Sequence, residues 1–306
     1  MTKYIITRIL ISIVTIWVIV TVVFIMLRLL PGDPARIFAS DTATPEEVAQ
    51  LRASLNLDKP LTYQYELFME QLAHADLGTS IRTNTPVIGE ITARLPQTIE
   101  LAVASMILAV LIGIPAGIIA AVKRNTWLDS VASVGTLVGV AMPVYLLGLL
   151  LIMVFCVKLR WLPAAGNRDG IKSLILPSIT IAAFSMALIA RMTRSSILEV
   201  MSKDYVTVAR AKGLVERLVI LKHVLRNALI PVVTVVGLQF GTLLGGSILT
   251  ETIFGWPGIG RLLTQSLTSR DYPMVQGVVI IFAVCFIAVN LIVDILYVYI
   301  DPKIRY

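Results

Sequence analysis

Few residues in this sequence have the types and spacing that catalysis, cofactor binding or metal binding requires. The two histidines, His74 and His223, are far apart in the chain and are not in a metal-ligand spacing. The two cysteines, Cys156 and Cys285, lie in separate apolar stretches and form no Cys-x-x-Cys pair. The sequence contains no Ser-His-Asp grouping and no Gly-x-x-x-x-Gly-Lys-Ser/Thr phosphate loop that would cradle a nucleotide. It therefore predicts a chain without a catalytic, cofactor-binding or metal site.

One ionisable residue, Asp294, stands inside an apolar stretch, with Asn290 one helical turn before it. A carboxylate within a membrane span is costly and generally faces a partner or a functional pathway. Two interpretations are open: a proton-coupling carboxylate, or an ion pair with a basic residue near the inner membrane surface, such as Arg191 or Arg194. The helical rise places Asp294 only about 10 Å from the inner end of its stretch, which favours the ion pair.

The composition indicates that lipid surrounds most of this chain. Of its 306 residues, 57% are hydrophobic and 15% are charged, and the mean hydropathy is +0.86. A soluble domain has about a quarter of its residues charged. The net charge of +7 is spread between apolar runs and does not form a stripe with interleaved aromatic residues. This pattern argues against nucleic acid as a partner.

Six segments are long and apolar enough to cross a bilayer, which takes about 20 residues each. They are residues 9–27, 101–122, 131–157, 174–190, 228–249 and 277–300. The first exceeds the usual length of a signal-peptide core and has no small-residue cleavage site after it, so we expect it to be retained. The prediction is an all-α integral membrane protein with six transmembrane helices.

The short segments between the spans carry an uneven charge. With the N-terminus inside, fourteen basic residues lie on short inner segments, against five acidic ones. The long segment 31–100 would face outward and carries five basic and ten acidic residues. The positive-inside rule therefore predicts that both termini are cytoplasmic. One loop disagrees, because its four basic residues would face outward: Lys158, Arg160, Arg168 and Lys172.

We divide the chain into an N-terminal transmembrane helix (1–30), an outer segment (31–100) and a five-helix core (101–306). In the outer segment, Thr44 and Glu47 bracket Pro45 in a capping-box pattern that starts a helix. A second amphipathic helix is expected after Pro60. These helices would form a lid on the spans or meet an external partner. The apolar faces expected for the two helices are Val48, Leu51 and Leu55, and then Leu61, Tyr65, Phe68 and Leu72.

The loop at residues 191–227 predicts two amphipathic helices on either side of Gly213. Lys212 followed by Gly213 is a typical helix stop, with a cation at the helix end and then a residue that tolerates the left-handed conformation. Such a hairpin could dock into a groove on another protein or lie on anionic lipid, and the pattern alone leaves both open. The predicted apolar stripes are Leu198, Met201, Tyr205 and Val208, and then Leu214, Leu218, Leu221 and Leu225.

Two features of the fifth span also have alternatives. Gly237, Gly241, Gly245 and Gly246 form a small-residue face that would either pack closely on a neighbouring helix or line a pathway. We favour packing. Trp256, just outside this span, is expected to anchor at the outer membrane interface.

Residues 204–214 and 221–231 together resemble the coupling loop of ABC importer permeases. The general signature of these permeases is Glu-Ala-Ala, three residues, Gly, nine residues, then Ile-x-Leu-Pro. This chain keeps Ala209, Gly213 and Leu225 but has Thr207 and Val208 in place of the first Glu and Ala. The departures, which also include His223 and Arg226, are similar to those of the dipeptide, oligopeptide, glutathione and nickel branch. Further strings similar to this branch are residues 30–35, 94–98, 190–196, 254–262, 270–273 and 294–305.

The resemblance implies a type I ABC importer permease in the bacterial cytoplasmic membrane. It implies as partners a second homologous permease, two ATP-binding subunits at the cytoplasmic loop, an extracytoplasmic solute-binding protein and membrane lipid. This chain would hold no cofactor, because the partner subunits would bind ATP. The residues that the resemblance assigns to ATPase coupling are Tyr205, Ala209, Ala211, Lys212, Gly213, Leu214 and Leu225.

The expected function is inward movement of a small peptide, such as a dipeptide, an oligopeptide or a glutathione-like solute. Nickel or another small solute is the alternative cargo. An ion-coupled secondary transporter is the alternative of a different class, but it usually shows inverted repeats and several polar groups at midplane depth. Here no repeat is evident and Asp294 is the one candidate. A membrane-bound enzyme would need paired acid/base or metal residues that the sequence does not supply.

Overall fold

The computed structural model describes residues 2–29, 44–54 and 56–300. Within these ranges the chain is helical and forms no named strand. The helices are α1 (Thr2–Leu29), α2 (Pro45–Ser54), α3 (Leu61–Ala73), α4 (Val87–Val122), α5 (Trp127–Ala141), α6 (Val144–Lys158), α7 (Ile171–Met201), α8 (Asp204–Ala211), α9 (Glu216–Ile253), α10 (Ile259–Thr268) and α11 (Tyr272–Ile300).

Five of these helices, namely α1, α4, α7, α9 and α11, are long and apolar enough to cross a membrane unbroken. The third predicted span is instead a bent pair, because α5 and α6 meet at an angle of 107°. The break falls at Met142 and Pro143. Proline cannot donate a backbone hydrogen bond and disfavours helix in the residue before it. The all-helical, six-span fold is confirmed, with the bent pair counted as one span in place of the predicted segment 131–157.

The centre of the bundle is the contact between α4 and α7, the most extensive between any two helices of the described chain. Gly113 and Gly117 of α4 lie directly against the backbone of α7, where a Cβ atom would collide with the carbonyl oxygens of Met186 and Ala190. Small residues allow this approach, which substitutes for a hydrophobic driving force between helices in lipid. Helix α9 adds the third side of this core through Val232, Leu243 and Leu244.

Close packing also explains part of the glycine face of the fifth span. Gly237 lies against Val293 and Gly241 lies against Phe286, both on α11. Gly245 and Gly246 have open space where a side chain would be. The packing prediction therefore holds for the first two glycines and not for the last two.

The outer helices α2 and α3 begin where the sequence predicted. The Thr44 N–H donates to Glu47 Oε2 at 2.7 Å and the Glu47 N–H donates to Thr44 Oγ1 at 3.3 Å, so the capping box is formed. Of the predicted apolar face of α2, Leu51 and Leu55 have side chains outside the described part of the chain.

Helix α3 packs on the end of α1 as a lid on that span. Tyr65 and Phe68 both contact the ring of Phe24. Arg28 lies over the same ring and donates to Gln64 Oε1 at 3.0 Å. Leu61, by contrast, is exposed and does not join this contact.

The division of the chain at residue 100 stays a prediction. Helix α4 begins at Val87 and runs across that boundary without a break. Its first turns pack on α10 and α11 through Val87 and Ile91, so they belong structurally with the bundle.

Candidate functional site

Residues 202–224, which we call the inner segment after the predicted orientation, leave the bundle after α7 and return to it in α9. The predicted stripe through Leu198, Met201, Tyr205 and Val208 is wrong as one helix. The chain breaks at Ser202 and Lys203, so Leu198 and Met201 end α7 while Tyr205 and Val208 lie on the separate helix α8. The expected second helix starts at Glu216, which leaves Leu214 outside it.

Helix α8 is attached to the bundle through Val206 and Ala209, both buried. They share one apolar cluster with the inner ends of three spans, represented by Ala121 of α4, Ile197 of α7 and Val224 of α9. The Asn227 side-chain amide also donates to the Tyr205 hydroxyl at 3.1 Å. Because of these contacts, a displacement of α8 would also displace the adjoining ends of α4, α7 and α9.

The opposite side of the segment leaves large apolar side chains exposed. Tyr205 is 44% exposed and Val208 is 52% exposed. We define the exposed apolar face by five such residues: Tyr205, Val208, Val215, Leu218 and Leu221. Charged residues flank it, and Arg210 donates to Glu216 at 2.6 and 3.0 Å. This hydrogen bond raises the pKa of the Arg210 guanidinium above its ordinary value.

Gly213 has a positive φ of 78°, in the left-handed region that favours glycine. Its N–H donates to the Arg210 carbonyl at 2.9 Å, which closes the end of α8. Ala211 and Lys212 are exposed beside it. Leu214 and Leu225 are half-buried against the cluster that holds α8. The seven residues predicted for coupling thus lie in or next to the inner segment, some exposed and some anchoring it.

The predicted partners of Asp294 are wrong. Asp294 on α11 forms an ion pair with Arg8 of α1, at 3.1 Å. Arg194 instead makes a two-point ion pair with Asp129 at the start of α5, at 2.8 and 2.9 Å. Arg191 is exposed and lines a cavity of about 360 Å³ between α4, α5 and α7. The ion-pair interpretation of Asp294 holds, but sequence gave no means of choosing among distant basic residues.

Sequence reasoning missed Glu251, a carboxylate with no exposed surface at the far end of α9. Its oxygens accept hydrogen bonds from Thr98 Oγ1 at 2.8 Å and from the N–H of Arg261 at 3.0 Å. The Ile259 N–H donates in turn to Thr98 Oγ1 at 2.9 Å. Glu251 thereby ties α4 and the first turn of α10 to α9. We call residues 251–261 the outer elbow.

Trp256 in the outer elbow is 1% exposed, so the expected membrane-interface anchor is wrong. Its indole Nε1–H donates to the carbonyl of Gln97 at 2.9 Å, and its backbone N–H donates to the carbonyl of Glu251 at 2.8 Å. Phe254 beside it is equally buried. The elbow is a packed junction between α4, α9 and α10.

No group of three or more His, Cys, Asp or Glu residues that could hold a metal ion occurs within residues 2–29, 44–54 and 56–300. The described geometry offers a segment anchored to three spans, with an exposed apolar face at one end of the bundle. A rigid junction lies at the other end.

Family models cover almost the whole chain. Residues 113–306 match the model described as binding-protein-dependent transport system inner membrane component. Residues 1–102 match the N-terminal model of the same membrane component. The chain belongs to this family. The permease is therefore a multi-pass inner-membrane transport component, and its family is one of transport components rather than of catalytic enzymes.

Two curated relatives align over their full length with the full length of the permease. The glutathione transport system permease protein GsiC of Escherichia coli O6:H1 is 47% identical over 306 residues. The dipeptide transport system permease protein DppB of Alkalihalophilus pseudofirmus is 45% identical over an alignment of 333 residues. The resemblance to this branch is confirmed.

Solved structures share the fold of the permease at low sequence identity. A chain of the MetNI methionine ABC transporter in an inward-facing conformation is 18% identical, with a TM-score of 0.58, and the match covers 70% of the permease and 97% of that chain. A chain of an amino acid ABC transporter is 17% identical, with a TM-score of 0.56, covering 69% and 94%. The ABC importer permease fold is confirmed.

Proposed function

We propose that this chain is a transmembrane subunit of an ATP-driven importer that moves a small peptide into the cell. The observation that carries the proposal is identity above 40%, over the full length of both chains, to permeases named for glutathione and for dipeptides. Those two names share the chemistry of a short peptide with a free carboxylate. Nickel or another small solute is the alternative cargo.

The energy for transport comes from two ATP-binding partner subunits. The sequence has no phosphate loop, and the exposed apolar face supplies a surface on which such a subunit would dock. Movement of the docked subunit would pass through Val206 and Ala209 into the inner ends of three spans. The chain itself would bind no ATP and no other cofactor.

A second permease subunit would pack on α5. Its exposed side chains recur at helical spacing and include Trp127, Val131, Val134 and Leu137. An extracytoplasmic binding protein would deliver the solute at the end of the bundle that carries the outer elbow.

Both termini face the cytoplasm in this proposal, because the basic residues concentrate on the short segments at the inner end. Cysteine labelling tests the orientation. Substituted cysteines at Gln50 and Ser269 should react from outside, and a cysteine at Lys212 from inside only. Labelling of the cysteine at Lys212 from outside would overturn the orientation.

Uptake by the reconstituted transporter tests the function. The chain purified alone should hydrolyse no ATP, while the complex with its ATPases, its second permease and its binding protein should import a labelled dipeptide or glutathione when ATP is supplied inside. ATP turnover by the pure chain would contradict the division of labour. Import of nickel but of neither peptide would assign the other cargo.

An ion-coupled mechanism would need a free membrane carboxylate, and Asp294 is paired with Arg8. Uptake should therefore persist when the proton and sodium gradients are dissipated and should stop when ATP is removed.

A further inference from the structure

A polar cavity of about 770 Å³ opens at the end of the bundle that carries the outer elbow. It lies between the turn at residues 80–83, the first turns of α4 and the polar side of α10. Its volume is within the range of small-molecule binding sites, about 300–1,000 Å³. The cavity is separate from the inner segment, and no residue of the ion pairs between spans lines it.

One wall of the cavity comes from α10, which is strongly amphipathic. Its apolar side, with Ile259, Leu262 and Leu263, is buried against α4 and α11. The residues left for the cavity carry hydroxyl and amide groups, among them Thr264, Gln265, Thr268 and Ser269. The hydroxyls of Thr264, Thr268 and Ser269 already donate to backbone carbonyls of α10, so towards a peptide they can accept hydrogen bonds. The Gln265 amide can both donate and accept.

Among the charged side chains that line the cavity, only the guanidinium of Arg82 has no partner among the described residues. Asp271 is satisfied, because it accepts from Ser80 Oγ at 2.5 Å and from the N–H groups of Ile81 and Met274. Arg94 is paired with Glu90 within α4. Arg82 is exposed and forms no ion pair with any described residue.

This arrangement is complementary to a zwitterion. A guanidinium binds a carboxylate through up to two charge-assisted hydrogen bonds. The Glu90 carboxylate, already balanced by Arg94, offers an acceptor for an ammonium group elsewhere in the same cavity. A concave hollow of this volume is large enough for a small solute, whereas a protein partner needs a broad contact surface.

We propose that the cavity is a subsite for a small zwitterionic solute, in which Arg82 binds the carboxylate and the hydroxyl-rich wall of α10 binds the amide groups. The subsite would hold the solute on the permease as it leaves the binding protein. It rests on the proposed function only in that the solute is a short peptide.

A cysteine reporter in the cavity tests this subsite without the binding protein. Cys156 and Cys285 are replaced by alanine, Ser269→Cys is introduced, and the transporter assembled with its other permease and its ATPases is placed in proteoliposomes. The rate of labelling by a membrane-impermeant maleimide is measured with millimolar alanyl-alanine or its C-terminal amide. Alanyl-alanine should slow the labelling about threefold at twice its Kd, since labelling then reports the free fraction. The amide should not slow it.

Two variants decide whether Arg82 is responsible. Arg82→Gln should abolish the protection by alanyl-alanine, while Lys172→Gln, which removes an exposed cation outside the cavity, should leave it unchanged. Protection that persists in Arg82→Gln, or no protection in the parent, would overturn the subsite. Protection by solute-free binding protein but not by the dipeptide would assign the carboxylate to that protein and also overturn it.

Uptake by the same proteoliposomes, with binding protein and ATP added, keeps the two proposals apart. Peptide uptake without protection of the reporter means that the subsite is wrong and the proposed function stands. Protection without uptake of any peptide means that the subsite stands and the proposed function is wrong.

Discussion

The outer elbow and the inner segment are both anchored by buried residues, but they differ in how much apolar surface they leave exposed. In the outer elbow, Glu251 and Trp256 are buried and their polar groups are satisfied within the chain. In the inner segment, Tyr205 and Val208 remain about half exposed although α8 is anchored firmly by Val206 and Ala209. Both regions join three helices, so the difference does not come from their place in the bundle.

The difference shows which of the two regions can gain free energy from a partner protein. A junction with every buried polar group paired gains nothing from a partner, because a partner would have no exposed apolar surface to cover. An anchored helix with an exposed apolar side still has free energy to gain from burial, about 25 cal/mol per Å². We therefore expect substitutions in the outer elbow to act on stability and substitutions in the inner segment to act on assembly.

The largest effect is expected from Glu251→Ala. The change leaves the Thr98 hydroxyl and the Arg261 N–H without their acceptor in a closed site, which costs about 3 kcal/mol or more. The melting temperature in detergent should fall steeply and little folded protein should reach the membrane. Glu100→Ala, at an exposed position of α4, is the matched control. Equal melting of the two variants would contradict the role of the buried carboxylate.

The next effect separates assembly from stability. Val208→Asp puts a charge on the exposed apolar face, where it should abolish co-purification of the ATPase subunits and uptake at a normal membrane level. Thr207→Asp, one residue away on α8 and also exposed, should do much less, as should Lys203→Ala. Membrane level, pull-down and uptake are measured for all three. If Val208→Asp retains its ATPase, the segment lies on lipid instead.

Gly213→Val should also impair coupling, with Gly213→Asn as its control. The φ of 78° costs a β-branched residue about 1 kcal/mol or more, whereas asparagine tolerates the left-handed region. A Cβ atom here would have no atom of the described residues within 4 Å, so loss of uptake in both variants would point to a clash with the docked subunit. Normal uptake by Gly213→Val would exclude the glycine from coupling.

A smaller effect is expected at the ion pair between α5 and α7. Asp129→Ala should lower the free energy of unfolding by less than Glu251→Ala does, because it removes two charge-assisted hydrogen bonds from Arg194. Arg191→Ala, one turn away and exposed, should change it little. A double-mutant cycle with Arg194→Ala measures the coupling between the two charges. Additive losses would show that the pair contributes nothing.

The smallest effect is expected from Arg8→Ala. Its ion pair with Asp294 is only partly buried, with side chains 42% and 31% accessible, whereas Asp129 is buried. The shift in melting temperature should be smaller than that of Asp129→Ala. A larger shift, or loss of uptake with normal stability, would return Asp294 to the proton-coupling interpretation.

The sequence predicted those features that depend on local pattern. The spans, the capping box at Thr44 and the glycine stop at Gly213 follow from apolar length and from backbone preference, which neighbours along the chain decide. The partner of Asp294 could not be chosen in this way, since Arg8 lies almost the whole chain away. The break at Ser202 was missed because the apolar pattern continues across it.

Glu251 was missed for a different physical reason. Hydropathy ended the fifth span at Leu249, which left the carboxylate in an expected outer loop. The structure continues α9 to Ile253 and buries Glu251 under α10. Two donors from other elements, the Thr98 hydroxyl and the Arg261 N–H, offset the cost of that burial, and no window of sequence around Glu251 contains Thr98. The same tertiary closure buried Trp256.

Helix α9 contains one wide π-helical turn, Val219–Val224, just before it enters the bundle. A turn of this kind holds one residue more than an α-helical turn, and each residue of an α-helix rotates the chain by about 100°. Deletion of a single residue there would convert the turn to regular α-helix. It would swing Leu218 and the chain before it about 100° around the axis of α9, with no change in any side chain that remains. The direction in which the exposed apolar face points therefore depends on the number of residues in this turn as well as on their identity.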